Sequence, residues 1–122
     1  LVGIAVGGLV PLALLSRRLH VREVTTVTVR SYDVTTKTKE KLFISSLPQM
    51  DLGGKRVLLV DEIADTGETL KTVTHILKHT YEVGELKTAA LVVNTEHCLF
   101  YPDFFVLKVD RWVRFPWEEE IV

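Results

Sequence analysis

One segment, residues 57–70, constrains the fold of this chain more than any other, and it reads VLLVDEIADTGETL. Its first four residues are apolar and are typical of a short buried strand. Two adjacent acids, Asp61 and Glu62, follow at the expected strand end, and a turn containing Gly67 leads into a helix with apolar residues at helical spacing. A strand, an acidic turn and a helix in this order predict one unit of a parallel sheet.

The rest of the chain repeats this alternation of strand and helix. Predicted strands cover residues 1–6, 24–30, 56–60, 87–93 and 104–109, and predicted helices cover residues 11–20 and 67–79. This order predicts an α/β fold, a mostly parallel twisted sheet flanked by helices, with ligands beyond the carboxyl ends of the strands. Residues 33–50 are rich in Thr, Lys and Ser, so we expect a weakly ordered segment with at most a short ribbon around residues 42–44.

Composition limits the possible classes of protein. A chain of 122 residues with 47% hydrophobic and 25% charged residues is expected to form a single globular domain. A net charge of −1 gives no support for binding nucleic acid. The single Cys98 cannot form an intrachain disulfide, which favours the reducing cytoplasm, and no apolar run is long enough to be a membrane anchor. A mean hydropathy of +0.20 favours a homo-oligomer, a dimer or larger.

The start of the helix after the acids is suited to an anion. Backbone N–H groups of residues 66–69 lack helical acceptors and can donate to a phosphate. Gly67 allows a close approach of the backbone, and the hydroxyls of Thr66 and Thr69 add donors. The alternative is an ordinary capped helix with Thr66 as the N-cap residue.

Three acids near this turn have separate possible roles. Asp61 and Glu62 can accept hydrogen bonds from ribose hydroxyls or hold Mg²⁺ together with substrate oxygens. Asp65, at the edge of the turn, can act as a general base or orient a substrate N–H. The alternatives are a solvated acidic turn for the pair and a helix N-terminal acid for Asp65.

Together these residues resemble a known family. Residues 57–69 are similar to the 5-phosphoribosyl-1-pyrophosphate (PRPP) binding motif of type I phosphoribosyltransferases. Residues 3–11, GIAVGGLVP, resemble the pyrophosphate loop of that family, and residues 31–33 resemble the start of its mobile catalytic loop. Residues 110–118, DRWVRFPWE, resemble the purine-binding hood of the xanthine–guanine phosphoribosyltransferases. The resemblance covers nearly the whole chain. The N-terminal helix that such proteins usually carry has no counterpart in these residues.

The resemblance implies a fold and an activity. The fold would be type I phosphoribosyltransferase-like, with a mobile loop at residues 33–50 and a small C-terminal hood at residues 110–122. The activity would be a Mg²⁺-dependent transfer of the phosphoribosyl group from PRPP to a 6-oxopurine (xanthine, guanine or hypoxanthine), with release of pyrophosphate, in purine salvage. PRPP and the purine base would be the partners of the chain.

The resemblance also implies roles for individual residues. It implies PRPP binding by Val6, Gly7, Asp61, Glu62, Ile63, Ala64, Asp65, Thr66, Gly67, Glu68 and Thr69. Asp61 and Glu62 would also hold the metal, and Asp65 would be catalytic and approach N7 of the purine. Trp112 would stack on the purine while the backbone of Val113 reads its edge, and Ser31 and Tyr32 would belong to the mobile loop. Trp117 is predicted to be structural.

Two positions depart from the family pattern. Val6 stands where the family usually has an Arg that grips pyrophosphate, and Asn94 lies in the region where a Lys usually contacts the purine. A phosphoribosyltransferase for another base and a non-catalytic regulator that senses PRPP or a nucleotide therefore remain alternatives. An unrelated dinucleotide-binding domain would show a G-x-G-x-x-G turn after the first strand, and this chain has none.

Overall fold

A computed structural model describes residues 1–33 and 40–118, and the strands in this part of the chain form one sheet in the order β3-β2-β1-β4-β5-β6. The strands are β1 (Val2–Ala5), β2 (Thr25–Asp33), β3 (Glu40–Ser46), β4 (Arg56–Ala64), β5 (Glu85–Asn94) and β6 (Phe104–Val109). The helices are α1 (Leu9–Leu19) and α2 (Glu68–His79), and a short 3₁₀ helix spans Pro116–Glu118.

The topology places a ligand crevice between β1 and β4. All neighbouring strands are parallel except β2 and β3, which are antiparallel. From β1 the chain crosses over to β2 on one side, whereas from β4 it crosses over to β5 on the other side. Because such crossovers are right-handed, α1 and α2 cover opposite faces of the sheet. The loops that follow the carboxyl ends of β1 and β4 therefore diverge, and a crevice opens between these two strands. The predicted mostly parallel α/β sheet is confirmed.

Helix α2 packs its apolar residues onto the sheet. Leu70, Val73 and Leu77 are almost completely buried and belong to the same core as Leu59 of β4 and Val93 of β5. Their spacing of three and four residues gives α2 one apolar side, as its sequence predicts. Burying side chains of this kind stabilises the fold by about 1.5–3 kcal/mol each. The core therefore fixes the start of α2 against the end of β4.

Two parts of the sheet differ from the sequence prediction. β4 does not end at Val60 but runs on through the acid pair, because β5 stays paired with it as far as Ala64 opposite Val93. The ribbon expected around residues 42–44 is a full strand, β3, since Tyr32 to Val29 of β2 offer it an antiparallel partner. Residues 34–39 of the expected mobile loop lie outside the described residues, and its mobility stays a prediction.

The edge of the sheet formed by β6 is apolar and exposed. Side chains of Phe104, Val106 and Leu107 on β6 are more than half exposed, and so is Leu14 on α1. Neither α1 nor α2 has the length and apolarity needed to cross a bilayer, within the described part of the chain.

Candidate functional site

A cavity of about 340 Å³ opens at the carboxyl ends of β1 and β4. It lies at the boundary where the crossovers diverge, as expected for a ligand site in an open parallel sheet. The residues that line it are Ile4, Ala5, Val6, Gly7, Val29, Leu42, Asp61, Glu62, Ile63, Ala64, Asp65, Thr66, Gly67, Thr69, Leu70 and Trp112. Most of the residues predicted for the site are therefore brought together around one space.

The turn from β4 into α2 presents backbone donors to this cavity. Helix α2 begins at Glu68, and its N-cap residue is Gly67, not Thr66 as in the alternative of an ordinary capped helix. The hydroxyl of Thr66 still accepts the backbone N–H of Glu68, at 3.2 Å. Among the described residues, the amides of Gly67 and Thr69 have no acceptor. Free amides at the positive end of a helix dipole form an anion-binding site.

Gly67 is required at this turn for two reasons. Its φ of +88° lies in the left-handed region, which residues with a side chain avoid. A Cβ atom at this position would also lie 2.7 Å from the carbonyl oxygen of Phe100, in the connection between β5 and β6. The backbone N–H of Leu99 donates to the carbonyl of Thr66 at 2.9 Å. The turn is thus fastened directly to the neighbouring connection.

The acid pair lies in contrasting surroundings. Asp61 is 9% exposed, and burial raises the pKa of its carboxyl group from 3.8 to about 7, although Oδ1 accepts the backbone N–H of Glu62 at 2.7 Å. Glu62 is only partly buried, and desolvation raises its pKa as well. The indole Nε1 of Trp117 donates to Glu62 Oε2, and this contact orients the glutamate.

Asp65 is held from the end of β5. The amide Nδ2 of Asn94 donates to Asp65 Oδ1 at 2.9 Å, and Nδ1 of His97 lies 3.4 Å from the same oxygen. Asn94 is 5% exposed, whereas the side chains of Asp65 and His97 are partly open to solvent. The carboxylate at the cavity is therefore supported by a buried amide and by an imidazole.

The C-terminal segment adds two tryptophans with different roles. Trp112 lines the cavity with a side chain that is 75% exposed, so its ring is available for stacking. Trp117 stacks on the buried ring of Phe115, with ring centroids 5.0 Å apart and planes 14° apart. The structural role predicted for Trp117 fits this packing, but its contact with Glu62 was not anticipated.

The remaining predicted site residues divide into three groups. Val6 and Gly7 line the cavity, Val6 with an exposed side chain, and the Ala5–Val6 peptide bond is cis. Glu68 and Val113 are not among the lining residues. Ser31 and Tyr32 lie near the end of β2, and their side chains are outside the described part of the structure.

Sequence reasoning did not identify the supports of the acids. The sequence indicates Asn94 only as the residue in place of a cation, and it gives no indication of His97 or of the Trp117–Glu62 contact. Separations of 29 residues from Asp65 to Asn94 and 55 from Glu62 to Trp117 explain this, because no local pattern connects them. The one usable signal is that Asn94 ends a strand beside β4, which puts it at the same sheet edge.

The donor set is compatible with Mg²⁺. Asp61 and Glu62 are both among the residues that line the cavity, and Mg²⁺ is usually bound by one or two carboxylates together with substrate oxygens and water. Ionisation of the buried Asp61 is opposed by desolvation, and a cation beside it would offset that cost. These two residues are therefore able to hold the metal that the sequence predicts.

Comparisons with curated proteins give a consistent result. The family model described as "Phosphoribosyl transferase domain" matches residues 1–122. The chain is 30% identical over 119 residues to a xanthine-guanine phosphoribosyltransferase of Idiomarina loihiensis, covering 97% of this chain and 70% of the relative. It is 32% identical over 123 residues to the Cereibacter sphaeroides protein of that name, covering 96% and 67%.

Solved structures agree with the sequence relatives. A purine phosphoribosyltransferase from Pyrococcus horikoshii has a TM-score of 0.86 and 35% identity, covering 99% of this chain and 77% of its own. A xanthine-guanine-hypoxanthine phosphoribosyltransferase of Helicobacter pylori has a TM-score of 0.83 and 30% identity, with coverages of 96% and 74%. The fold and these matches confirm the predicted resemblance, and the chain belongs to the phosphoribosyltransferase family.

Proposed function

We propose that this chain transfers the phosphoribosyl group of PRPP to a 6-oxopurine and releases pyrophosphate, as a step of purine salvage. The observation that supports this best is the single cavity of about 340 Å³ that joins an acid pair, an anion-binding turn, Asp65 and Trp112. The names of the relatives, which are xanthine-guanine or purine phosphoribosyltransferases, support the same substrate class.

The ribose phosphate would occupy the β4–α2 side of the cavity. The free amides of Gly67 and Thr69 would donate to the 5′-phosphate, helped by the dipole of α2. Asp61 and Glu62 would accept hydrogen bonds from the ribose hydroxyls. Ile63, Ala64 and the Thr66 hydroxyl would complete this wall.

The charge of the cavity supports a requirement for Mg²⁺. Its described lining carries three carboxylates, Asp61, Glu62 and Asp65, and no Lys or Arg. PRPP is itself strongly anionic, so like charges would oppose its binding unless a cation neutralises them. Asp61 and Glu62 would hold Mg²⁺, which would supply this neutralisation and favour departure of the pyrophosphate.

The base would lie on the other side, between Asp65 and Trp112. The exposed face of Trp112 would stack on the purine, and the backbone of Val113 would read its edge. As the new C–N bond forms at the ribose and the bond to pyrophosphate breaks, the purine loses a proton. The Asp65 carboxylate would accept or carry that proton.

The organisation of the chain around this site can be described in the same terms. The chain would act as a single domain, with a mobile loop at residues 33–50 directly preceded by Ser31 and Tyr32, and a hood at residues 110–122. We also propose a homo-oligomer in the cytoplasm, supported by the exposed apolar edge of β6 and the unpaired thiol of Cys98. Sedimentation and cell fractionation test these two points.

The central test is an assay of pyrophosphate release. The protein is incubated with PRPP, Mg²⁺ and one of guanine, xanthine, hypoxanthine, adenine or uracil. Release with the 6-oxopurines supports the proposal, whereas release with adenine or uracil alone would assign another base. The variant Asp65→Asn tests the catalytic role of this carboxylate in the same assay. It should reduce turnover far more than it weakens PRPP binding.

Two observations favour a second candidate, a regulator that binds PRPP without turnover. The cavity lacks the usual cation at Val6, and the amide of Asn94 is already engaged with Asp65 rather than free for a base. Saturable, Mg²⁺-dependent PRPP binding without pyrophosphate release for any base would select this candidate.

A further inference from the structure

Two side chains near the end of β5, Asn94 and His97, contact Asp65 in the β4–α2 turn, and neither is assigned to PRPP in the proposed function. Asp65 Oδ1 receives the amide Nδ2 of Asn94 at 2.9 Å and faces Nδ1 of His97 at 3.4 Å. Within the described residues its second oxygen, Oδ2, has no hydrogen-bond partner. The carboxylate is thus fixed through one oxygen, and the other is free for a ligand in the cavity that Asp65 lines.

The side chain and backbone of Asn94 are held by hydrogen bonds within the protein. Its side-chain oxygen accepts the backbone N–H of Glu96 at 3.1 Å, and its backbone carbonyl accepts the N–H of Cys98 at 3.0 Å. Its amide nitrogen lies between Asp65 Oδ1 and Nδ1 of His97, at 2.9 and 3.3 Å. One hydrogen of the amide is therefore directed at Asp65, and the second is directed at His97 when Nδ1 of that ring carries no hydrogen.

His97 complements this amide in either tautomer. When Nδ1 carries a hydrogen, it can donate to Asp65 Oδ1. When Nδ1 is bare, it can accept the second hydrogen of the Asn94 amide, which keeps that amide turned toward Asp65. In both arrangements the carboxylate keeps at least one donor on the same oxygen.

We propose that Asn94 and His97 are positioning residues for the transfer reaction: they hold Asp65 by Oδ1 so that Oδ2 is directed at the proton of the incoming base. This inference rests on the proposed function. It assigns Asn94 to the acid rather than to the base, so the selection of the base falls to Trp112 and the hood. A displacement of a catalytic group by about 1 Å is enough to lower a rate about 100-fold.

The test compares four variants in the pyrophosphate assay, each with a direct measurement of PRPP binding. Asn94→Asp keeps the size of the side chain but replaces the donor by a second carboxylate, and kcat should fall about 100-fold with PRPP affinity kept within about twofold. His97→Ala should lower kcat about fivefold, and His97→Gln, which retains a donor, should recover most of it. Glu96→Gln, an exposed neighbour in the same turn, is the control and should match the wild type.

The outcomes separate this inference from the proposed function. Wild-type protein that binds PRPP but releases no pyrophosphate would overturn both. Normal wild-type turnover together with unchanged kcat in Asn94→Asp, or with equal losses of kcat and PRPP affinity, would overturn the positioning role alone. If Asn94→Asp does not fold, the exposed His97 decides: equal rates for His97→Ala, His97→Gln and wild type would overturn the proposal.

Discussion

The two sides of the cavity are built in different ways. The ribose-phosphate side is a continuous segment, residues 61–69, in which a strand, a glycine turn and a helix start place the binding groups locally. The base side is assembled from distant segments, because Asn94, His97 and Trp112 reach it from the end of β5 and from the C-terminal segment. The residues of a local site can be predicted from the sequence, and a change in its backbone disrupts all of them together. The residues of an assembled site cannot be predicted from local sequence, and a substitution there removes one contact at a time.

The largest effect is expected at Gly67 on the ribose-phosphate side, where the β4–α2 turn contacts the β5–β6 connection. Gly67→Ala should lower the free energy of unfolding by about 3 kcal/mol or more, because it combines a left-handed backbone with contact to Phe100. Urea unfolding measures the loss. Gly54→Ala is the matched control, since its φ is +69° with nothing within 4 Å of the added Cβ, and it should cost only about 1 kcal/mol. Equal losses at both positions would show that the contact with Phe100 contributes nothing.

The next effect tests the acid pair on the local side. Asp61→Asn should weaken Mg²⁺-dependent PRPP binding at least about tenfold, because it removes a charge-assisted contact. Calorimetric titration with and without Mg²⁺ measures this change. Unchanged affinity would separate Asp61 from ribose and metal binding.

The same variant should change the pH dependence of stability. In the folded protein the pKa of Asp61 is raised from 3.8 to about 7, so the folded state binds this proton more tightly than the unfolded state. Its contribution is therefore fully present below pH 3.8 and is lost as the pH rises through about 7. Without ligand, Asp61→Asn should be more stable than wild type at about pH 8 and close to it at about pH 4. A constant difference across this range would contradict the assigned cause.

On the assembled side, Trp112→Ala should raise the KM for the purine about tenfold, since stacking of a base on an aromatic ring contributes about 1–3 kcal/mol. PRPP affinity and the thermal midpoint should stay unchanged, because the ring is 75% exposed. Steady-state kinetics and a melting curve check both statements. Trp112→Phe retains a stacking surface and should recover most of the loss. A fall in PRPP affinity would mean that the two sides are not separable at this residue.

The smallest effect is a gain. Val6→Arg should strengthen pyrophosphate binding about fivefold, roughly 1 kcal/mol, by supplying a cation to a cavity whose described lining has none. The exposure of Val6 leaves room for the longer side chain. Val6→Gln, of similar length without charge, is the control. Equal gains for the two variants would point to contact area rather than charge.

The contrast between a local side and an assembled side of the cavity explains which features could be predicted from the sequence. The order of strands and helices, the anion-binding turn and the acid pair follow from local periodicity and from residues 57–70. The length of β4 past Asp61 did not follow, because it depends on pairing with β5. β3 is likewise a strand because β2 accepts it as a partner, although residues 40–46 have little apolar periodicity of their own. The support of Asp65 by His97 required the folded structure for the same reason.

The absence of a side chain at Gly67 has a consequence for building chimaeras within the family. The connection from β5 to β6 packs its Phe100 backbone against this residue, and Leu99 is hydrogen-bonded to Thr66. Residues 95–103 therefore cannot be exchanged with those of a relative as an independent module. A transplanted connection must reproduce the same backbone path, or the anion-binding turn will be displaced with it. Efforts to alter base preference by loop exchange should move the β4–α2 turn and this connection together.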